Sequence, residues 1–218
     1  MNCLLAAATP FEIAPFLEHY RNSDVPFYVD IHIDVLITGV GLTAATYNLQ
    51  KQLQVKKPDL VIQAGIGGCF DTTMPLGTVV SIKKDTIADL GVLEKKQFHN
   101  VFDMGFAKPD QFPYKKGWLV NPGLHLLKRN SLKKVAAISV NQVTSSPQTI
   151  RLYEAKYKPV VESMEGAALH YVCLMEKTPF LQLRGISNYI GERNKKKWKI
   201  KESVANLNNE LIRLLNSL

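Results

Sequence analysis

Short apolar runs alternate with amphipathic segments along most of the chain. Residues 60–64 are continuously apolar, which is typical of a strand that a parallel sheet buries on both faces. Thr9, Pro10 and Glu12 have the order of a capping box with proline at the first helical position. The apolar residues from Ile13 to Tyr20 recur at the spacing of one helical face. This pattern predicts a helix that begins at Pro10, directly after a first strand.

The same pattern extends to the end of the chain. It predicts strands at residues 3–8, 33–38, 60–64, 78–82, 135–140, 159–162 and 180–186, and helices from residue 10 and at 42–54, 122–129, 147–157, 164–175 and 202–215. A polar turn at 22–24 leads into a hairpin-like stretch, and residues 85–118 are expected to form a long irregular loop, which is usually functional. This alternation predicts one α/β domain with a mostly parallel or mixed central sheet, whose ligands bind beyond the carboxyl ends of the strands.

Composition narrows the class of protein. The chain has 218 residues, of which 46% are hydrophobic and 21% charged, so it can form a globular core and is not expected to be disordered. No apolar run approaches the ~20 residues of a membrane span. The net charge is +8, but the lysines are scattered in pairs and no nucleic-acid-binding motif is present. The basic surplus is therefore interpreted as solvated surface.

Cysteine usage favours a reducing compartment. Cys3, Cys69 and Cys173 are few, odd in number and without metal-ligand spacing, as expected for small core residues of a cytoplasmic protein. The five histidines are equally scattered, so no metal site is predicted. Residues 1–8 are short and lack a basic start, which indicates a strand rather than a targeting segment.

Two segments carry candidate chemistry in the first third of the chain. Glu12 follows the first strand and is either a catalytic carboxylate or only part of a helix cap. The glycines between Gly65 and Gly68 follow a buried strand and either allow close approach to a sugar or anion or form a tight turn. Their pattern matches neither a dinucleotide-binding nor a phosphate-binding loop.

Two further segments lie near the end of the chain. Glu165 is expected in the first turn of a helix, where it either complements the helix dipole or accepts hydrogen bonds from two sugar hydroxyls. Ser187 and Asn188 follow a strand and are either site residues or turn formers.

Together the four segments resemble the nucleoside phosphorylase and nucleosidase family, which contains purine nucleoside phosphorylases and methylthioadenosine/S-adenosylhomocysteine nucleosidases. Residues 163–168 (Ser-Met-Glu-Gly-Ala-Ala) and 184–189 (Arg-Gly-Ile-Ser-Asn-Tyr), followed by Arg193, Asn194 and Trp198, carry a resemblance that runs from Ala6 to about Leu207. Within the family the pattern is most similar to the futalosine hydrolase branch. The resemblance implies a single three-layer α/β domain with a mixed central sheet over residues 1–218.

The resemblance also implies roles for individual residues. Glu12 would be the general base that activates water, Arg184 would help to position the water, and Asn188 would face the base at N-7 and the 6-position. The other implied contacts are Glu165 to the two ribose hydroxyls, Met164 against the sugar, Gly65 and Gly67 beneath it, and Val143 and Thr144 around the base. The implied partners are a small purine nucleoside and further copies of the chain in a homo-oligomer, without metal, organic cofactor, nucleic acid or membrane.

The nucleophile distinguishes hydrolases from phosphorylases in this family. Gln63 occupies the position where phosphorylases tend to carry an arginine, and a neutral amide does not replace that charge on a phosphate dianion. Glu12 would repel phosphate but suits the activation of water. One departure concerns Ile66, which stands where adenosine-type nucleosidases carry a serine. Water is therefore the expected nucleophile, with its detailed site left open by Ile66.

Asn188 bears on the identity of the base. Adenine-cleaving relatives carry an aspartic acid at this position, which protonates N-7, and an asparagine cannot donate that proton. Its amide can donate to a 6-oxo group and accept from a protonated N-7, which favours hypoxanthine. Futalosine also carries a benzoate on the 5-side of the ribose. Its expected contacts lie either in the aromatic loop or in the basic segment that follows Asn188: Phe98, Phe102, Phe106 and Phe112, or Arg193 and Lys195 to Lys197.

These inferences predict an N-ribosyl hydrolase that releases hypoxanthine from futalosine for menaquinone synthesis. A methylthioadenosine/S-adenosylhomocysteine nucleosidase is disfavoured by Asn188, and a purine nucleoside phosphorylase is disfavoured by Gln63. A third alternative is a nucleoside- or nucleic-acid-binding protein without activity, in which Glu12 only caps a helix.

Overall fold

The computed structural model describes residues 1–22, 31–95, 97–128 and 130–218. The strands are β1 (Asn2–Ala7), β2 (His32–Ile37), β3 (Leu60–Cys69), β4 (Val79–Asp85), β5 (Gly91–Glu94), β6 (Gln97–Asn100), β7 (Tyr114–Lys115), β8 (Trp118–Val120), β9 (Lys133–Ser139), β10 (Val161–Ser163) and β11 (Phe180–Tyr189). The helices are α1 (Pro10–Asn22), α2 (Leu42–Val55), α3 (Leu124–Lys128), α4 (Pro147–Tyr157), α5 (Gly166–Met175) and α6 (Ile200–Leu215), with one 3₁₀ turn at Lys195–Lys197. In these ranges no helix has the length and apolar character of a membrane span.

Among the described residues, the central sheet is mixed and has nine strands. β1 pairs in parallel with β2 and β3, whereas β10 pairs antiparallel with β3. β10 then pairs with β9, β9 with β4, β4 with β11, and β11 returns to β3. Part of the sheet therefore closes on itself, with β3 paired to β1, β10 and β11 and β11 paired to β3 and β4. β5 and β6 form a separate hairpin.

Helices cover both faces of the sheet. Alternate residues of β1 belong to different buried clusters: Cys3 and Leu5 pack with α1 and α6, and Leu4 and Ala6 pack with α2 and α5. Fully burying a side chain such as Leu5 stabilises the fold by ~1.5–3 kcal/mol. This arrangement confirms the predicted three-layer α/β class with a mixed sheet.

Several predicted boundaries were wrong. β3 does not end at Gly65 but continues through the glycines to Cys69, because these residues stay extended and pair with β10 and β11. Residues 85–118 contain the β5–β6 hairpin and strands β7 and β8 rather than irregular loop alone. Helix α5 begins at Gly166, so Glu165 is its N-cap residue and not part of its first turn. The predicted turn at 22–24 and most of the stretch after it lie outside the described residues.

A bulge in β11 shapes the site. Ile186 pairs with Gly67 and Asn188 pairs with Gly68, so Ser187 is an extra residue on β11 relative to β3. Bulges change the direction of nearby side chains and often occur beside functional sites. Ser187 and Asn188 therefore lie within a strand, and not in a turn after it as the sequence suggested.

Candidate active site

A cavity of about 290 Å³ opens where β1, β3, β10 and β11 approach their carboxyl ends. Its lining combines acidic, amide and hydroxyl side chains with apolar ones: Ala8, Thr9, Phe11, Glu12, Val40, Ile66, Gly67, Gly68, Val143, Glu162, Ser163, Met164, Glu165, Ser187, Asn188, Ile190 and Trp198. The predicted residues Glu12, Asn188, Glu165, Met164 and Val143 are thus brought together here, with Gly67 beneath them.

Glu12 is held by three hydrogen bonds. Its Oε2 accepts from the backbone N–H of Thr9 at 3.0 Å, which is the half of a capping box that the glutamate supplies, and also from the Thr9 hydroxyl at 3.3 Å. Its Oε1 accepts from the backbone N–H of Ile66 at 3.0 Å, across from β3. Glu12 therefore caps α1 and also presents a fixed carboxylate to the cavity. The Ile66 contact uses the main chain, so it does not need the hydroxyl of a serine at that position.

Glu165 faces the cavity although it stands at the start of a helix. Its side chain makes no cap hydrogen bond with α5. Its Oε1 instead accepts from the backbone N–H of Gly41 at 2.9 Å, and its Oε2 lies 3.9 Å from Nη1 of Arg184. Burial raises the pKa of Glu165, while Arg184 opposes that rise. A buried carboxylate with free lone pairs is suited to accept hydrogen bonds from sugar hydroxyls.

Arg184 lies beneath the cavity and does not line it. It is 1% exposed, and its Nη2 donates to Oε1 of Gln63 at 2.7 Å. Gly65 makes room for it, since a Cβ at Gly65 would lie 2.2 Å from Nη1 of Arg184 and 2.8 Å from Oε1 of Glu12. Arg184 is therefore placed to hold Glu165 rather than to touch a substrate. Gly65 and Gln63 also lie in this buried layer beneath the cavity and do not line it.

Asn188 presents an amide to the cavity. Its Oδ1 accepts from the Ser187 hydroxyl at 2.9 Å and its Nδ2 donates to the backbone carbonyl of Tyr189 at 3.1 Å. One N–H and one lone pair of the amide remain for a ligand. The bulge at Ser187 thus gives Asn188 both its direction and its partner.

The wall next to Asn188 contains a carboxylate that the sequence analysis did not select. Glu162 lies on β10, where it pairs with Gly68 of β3, and its side chain is buried. Its Oε1 accepts a hydrogen bond from the backbone N–H of Thr144 at 2.9 Å. Burial raises the pKa of Glu162. Thr144 lies behind the cavity wall, whereas Val143 lines it. Glu162 therefore fixes the segment that carries Val143. In the sequence, an acidic residue inside an apolar strand was the feature that could have identified Glu162 as a site residue.

The rim of the cavity is apolar. Phe11, Val40 and Ile190 line it together with Trp198, and none of these was predicted as a site residue. Trp198 is one of the residues that carry the resemblance to the family, and this was the feature of the sequence that could have identified it as a site residue. The aromatic residues expected in the loop lie elsewhere: Phe98 packs against Tyr153, Phe102 packs against Tyr114, and Phe106 and Phe112 are exposed outside the cavity lining.

The charges around the cavity have one sign. Glu12, Glu162 and Glu165 line it, while none of its described lining residues is a lysine or arginine. Such a lining stabilises a positively charged sugar and disfavours a phosphate dianion. The arrangement can therefore hold a nucleoside, activate water and stabilise positive charge as a glycosidic bond breaks.

Comparisons with known proteins identify the family. The family model for the phosphorylase superfamily matches residues 3–218. The futalosine hydrolase of Streptomyces coelicolor is 29% identical over 180 residues, which are 80% of this chain and 74% of that protein.

Two solved structures from Helicobacter pylori have the same fold. Its 5′-methylthioadenosine/S-adenosylhomocysteine nucleosidase gives a TM-score of 0.83 at 18% identity, with 100% of this chain and 99% of that chain covered. Its futalosine hydrolase gives a TM-score of 0.82 at 16% identity, with 100% and 98% covered. At these identities the structures establish the fold, while the family match covers nearly the whole chain. The chain therefore belongs to the phosphorylase superfamily.

Proposed function

We propose that this chain is a futalosine hydrolase, which cleaves the N-glycosidic bond of futalosine with water and releases hypoxanthine, as a step of menaquinone synthesis. The observation that carries the proposal is the cavity in which Glu12, Glu162 and Glu165 supply all the formal charge of the described lining. A phosphorylase needs cations around its phosphate, whereas hydrolysis needs a base for water and negative charge near the sugar. The similarity to the Streptomyces coelicolor enzyme supports the same reaction.

In the proposed reaction Glu12 accepts a proton from water as the water oxygen bonds to the anomeric carbon. The carbon–nitrogen bond to the base breaks, and its electron pair leaves with the base. Glu165 holds the ribose hydroxyls and stabilises the cationic sugar, and Arg184 and the Gly41 amide keep Glu165 in place. The departing base acquires its proton from water, because an asparagine at 188 cannot supply one.

Asn188 favours a 6-oxopurine in this proposal. The free N–H of its amide donates to the 6-oxo group, and its remaining lone pair accepts from N-7 once that nitrogen is protonated. A 6-amino group would place its own N–H donors against the N–H donor of Asn188, so no hydrogen bond would form. Sites that depend on such hydrogen bonds discriminate by ~10⁴–10⁵-fold.

We further propose that residues 1–218 act as one nucleosidase domain, in the cytoplasm and as a homo-oligomer, independently of nucleic acid. The three cysteines are free and buried, which fits a reducing compartment. Val40 and Tyr47 leave large apolar side chains exposed beside the cavity and on α2, which fits a surface between copies. Light scattering of the purified chain measures the number of copies.

A base-release assay tests the reaction. The protein is mixed with futalosine, inosine, methylthioadenosine or S-adenosylhomocysteine, with and without phosphate. Release of hypoxanthine from futalosine at a rate independent of phosphate is the expected result. Release that needs phosphate would identify a phosphorylase, and preference for the adenosine-type substrates would identify a methylthioadenosine-type nucleosidase. Ligand binding without any base release would identify a binding protein.

A further inference from the structure

Three neighbouring strands end in a polar residue beneath helix α5. Asp85 is the last residue of β4, Ser139 of β9 and Ser163 of β10. β10 pairs in parallel with β9, and β9 in parallel with β4, so the three strands end at the same edge of the sheet. Asp85 and Ser139 are fully buried, and neither is among the residues that line the cavity. Any part that these two residues have in the reaction is therefore indirect.

The hydroxyl of Ser139 caps α5 in place of the helix's own N-cap residue. An N-cap side chain ordinarily accepts a hydrogen bond from the second or third N–H of its helix. In α5 the second N–H, that of Ala167, donates to Oγ of Ser139 at 2.8 Å. The third, that of Ala168, donates to the backbone carbonyl of Glu165 at 3.0 Å. The side chain of Glu165 is therefore not needed at the helix end.

Asp85 fixes the direction of the Ser139 hydroxyl. Its Oδ1 accepts from Oγ of Ser139 at 3.0 Å and from the backbone N–H of Thr86 at 2.8 Å. Because the hydroxyl proton is donated to Asp85, the lone pairs of the Ser139 oxygen are left for Ala167. The carboxylate comes this close to the helix because the first helical residue is a glycine, and a Cβ at Gly166 would overlap Oδ2 of Asp85. Negative charge at this place also complements the helix dipole.

The carboxylate of Glu165 is thereby left for the cavity, which it lines. Its Oε1 accepts from the backbone N–H of Gly41 at 2.9 Å, and its Oε2 lies 3.9 Å from Nη1 of Arg184. If the N–H of Ala167 lost its acceptor, the N-cap carboxylate would be drawn to it, because a buried N–H without a partner is costly. Glu165 would then leave its contacts with Gly41 and Arg184.

We infer that Asp85 and Ser139 are positioning residues of the active site, which cap α5 in place of Glu165 and so keep its carboxylate available to the ribose hydroxyls. The inference rests on the proposed function, in which Glu165 binds the ribose. Both residues act through Glu165. Removing either one therefore weakens the recognition of the ribose hydroxyls more than the binding of the rest of the substrate.

The test compares futalosine with its 2′-deoxy analogue, which lacks one of the two hydroxyls assigned to Glu165. The measured quantity is the ratio of kcat/KM for futalosine to kcat/KM for the analogue. In Ser139→Ala this ratio falls about tenfold or more, because a charge-assisted hydrogen bond to the 2′-hydroxyl is lost. A ratio equal to that of the wild-type chain would overturn the inference, since both substrates would then be affected alike.

Two controls separate positioning from a general loss of stability. Asn121 is buried and bonds to the backbones of Phe180 and Gly123, none of which lines the cavity. Asn121→Ala should therefore lower the Tm and leave the ratio unchanged, and a fall in its ratio as large as that of Ser139→Ala would overturn the inference. In a Glu165→Ala background, Ser139→Ala no longer lowers the ratio, because the carboxylate through which it acts is gone. A further fall in that background would also overturn the inference.

Asp85 is tested by a pair of variants. Asp85→Asn keeps an oxygen that accepts from the Ser139 hydroxyl and retains most of the ratio, whereas Asp85→Ala removes this acceptor and lowers the ratio. Equal ratios in the two variants would overturn the role of Asp85. With a wild-type chain that hydrolyses futalosine, none of these outcomes changes the proposed function.

Absence of hydrolysis by the wild-type chain would overturn the proposed function instead. Calorimetric titration of futalosine and its 2′-deoxy analogue into the wild-type chain and Ser139→Ala then decides the inference. A preference for futalosine that is lost in the variant supports the positioning role. A preference that is equal in the two chains, or absent from both, overturns it.

Discussion

The floor and the edge of the cavity are built by different kinds of contact. On the floor, Glu12 is tied to Ile66, and Glu165 is tied to Gly41 and Arg184, so each contact joins segments far apart in the chain. At the edge, Trp198 and Asn194 bond to Glu192 within the same short turn. The floor therefore depends on the whole fold, whereas the edge is a local structure. Substitutions on the floor are expected to affect reaction and stability together, and those at the edge only affinity.

The largest effect is expected at Glu12. Glu12→Gln removes the base that accepts the proton of water, and kcat/KM for futalosine should fall by ~10²–10⁴-fold. Glu18→Gln, on the exposed face of the same helix, is the matched control and should retain full activity. Steady-state kinetics together with the Tm of each variant make the measurement. Near-normal turnover in Glu12→Gln would reduce Glu12 to a helix cap.

The next effect concerns the choice of base at Asn188. Asn188→Asp introduces a group that can protonate N-7 and that repels a 6-oxo group. The ratio of inosine-type to methylthioadenosine activity should fall by about 100-fold or more. Asn216→Asp, which adds the same charge at an exposed position, leaves the ratio as it is. An equal ratio in both variants would show that Asn188 does not select the base.

Gly65→Ala tests the link between the floor and the fold. Its new Cβ would lie 2.2 Å from Arg184 and 2.8 Å from Glu12, so both side chains must move. Overpacking of this kind costs ~1–3 kcal/mol of unfolding free energy, and kcat should fall at the same time. Urea unfolding and steady-state kinetics measure the two effects. A variant with normal stability and normal kcat would contradict the proposed rigidity of the floor.

Asp85, in the layer beneath the floor, is expected to make the stability of the folded chain depend on pH. It is fully buried and accepts from Ser139 at 3.0 Å and from Gln182 at 3.3 Å, and burial raises its pKa from 3.8 to about 6. The folded state therefore binds this proton more tightly than the unfolded state. The resulting stabilisation is complete below pH ~4 and is lost as the pH rises through ~6.

Asp85→Asn cannot titrate, so the wild-type chain should lose ~2–3 kcal/mol of unfolding free energy relative to this variant between pH 4 and pH 7. The difference between the two chains isolates Asp85 from the other titrating groups. Urea unfolding across this pH range provides the measurement. A difference that stays constant with pH would mean that burial does not raise the pKa of Asp85.

The smallest effect is expected for the outer ion pair of the edge. Lys197 is 67% exposed and contacts Glu192 at 2.7 Å, and exposed pairs contribute little to stability. Lys197→Ala should leave the Tm within about 2 °C of the wild-type value, as measured by calorimetry. A larger drop would show that the turn depends on this pair more than on its backbone contacts.

Much of the fold was predictable because the local sequence patterns of helices and strands match the residues that the structure buries. The helix from Pro10 was predicted from its cap and its apolar face, and α4 was predicted at its observed bounds because Pro147 marks its start. The glycines of β3 were mistaken for a break, since nothing local shows that β10 and β11 hold them extended. The bulge at Ser187 was likewise invisible, because a bulge is defined by the pairing of two strands.

By itself the sequence indicated the family and the three-layer class and selected Glu12, Glu165 and Asn188 as candidate site residues, because these follow from short motifs and residue types. Only the tertiary structure decided that Arg184 and Gly65 lie beneath the cavity, that Glu162 belongs to its wall and that Arg193 stands over Trp198. The physical reason is that the direction and burial of a side chain depend on which distant strand or turn packs against it.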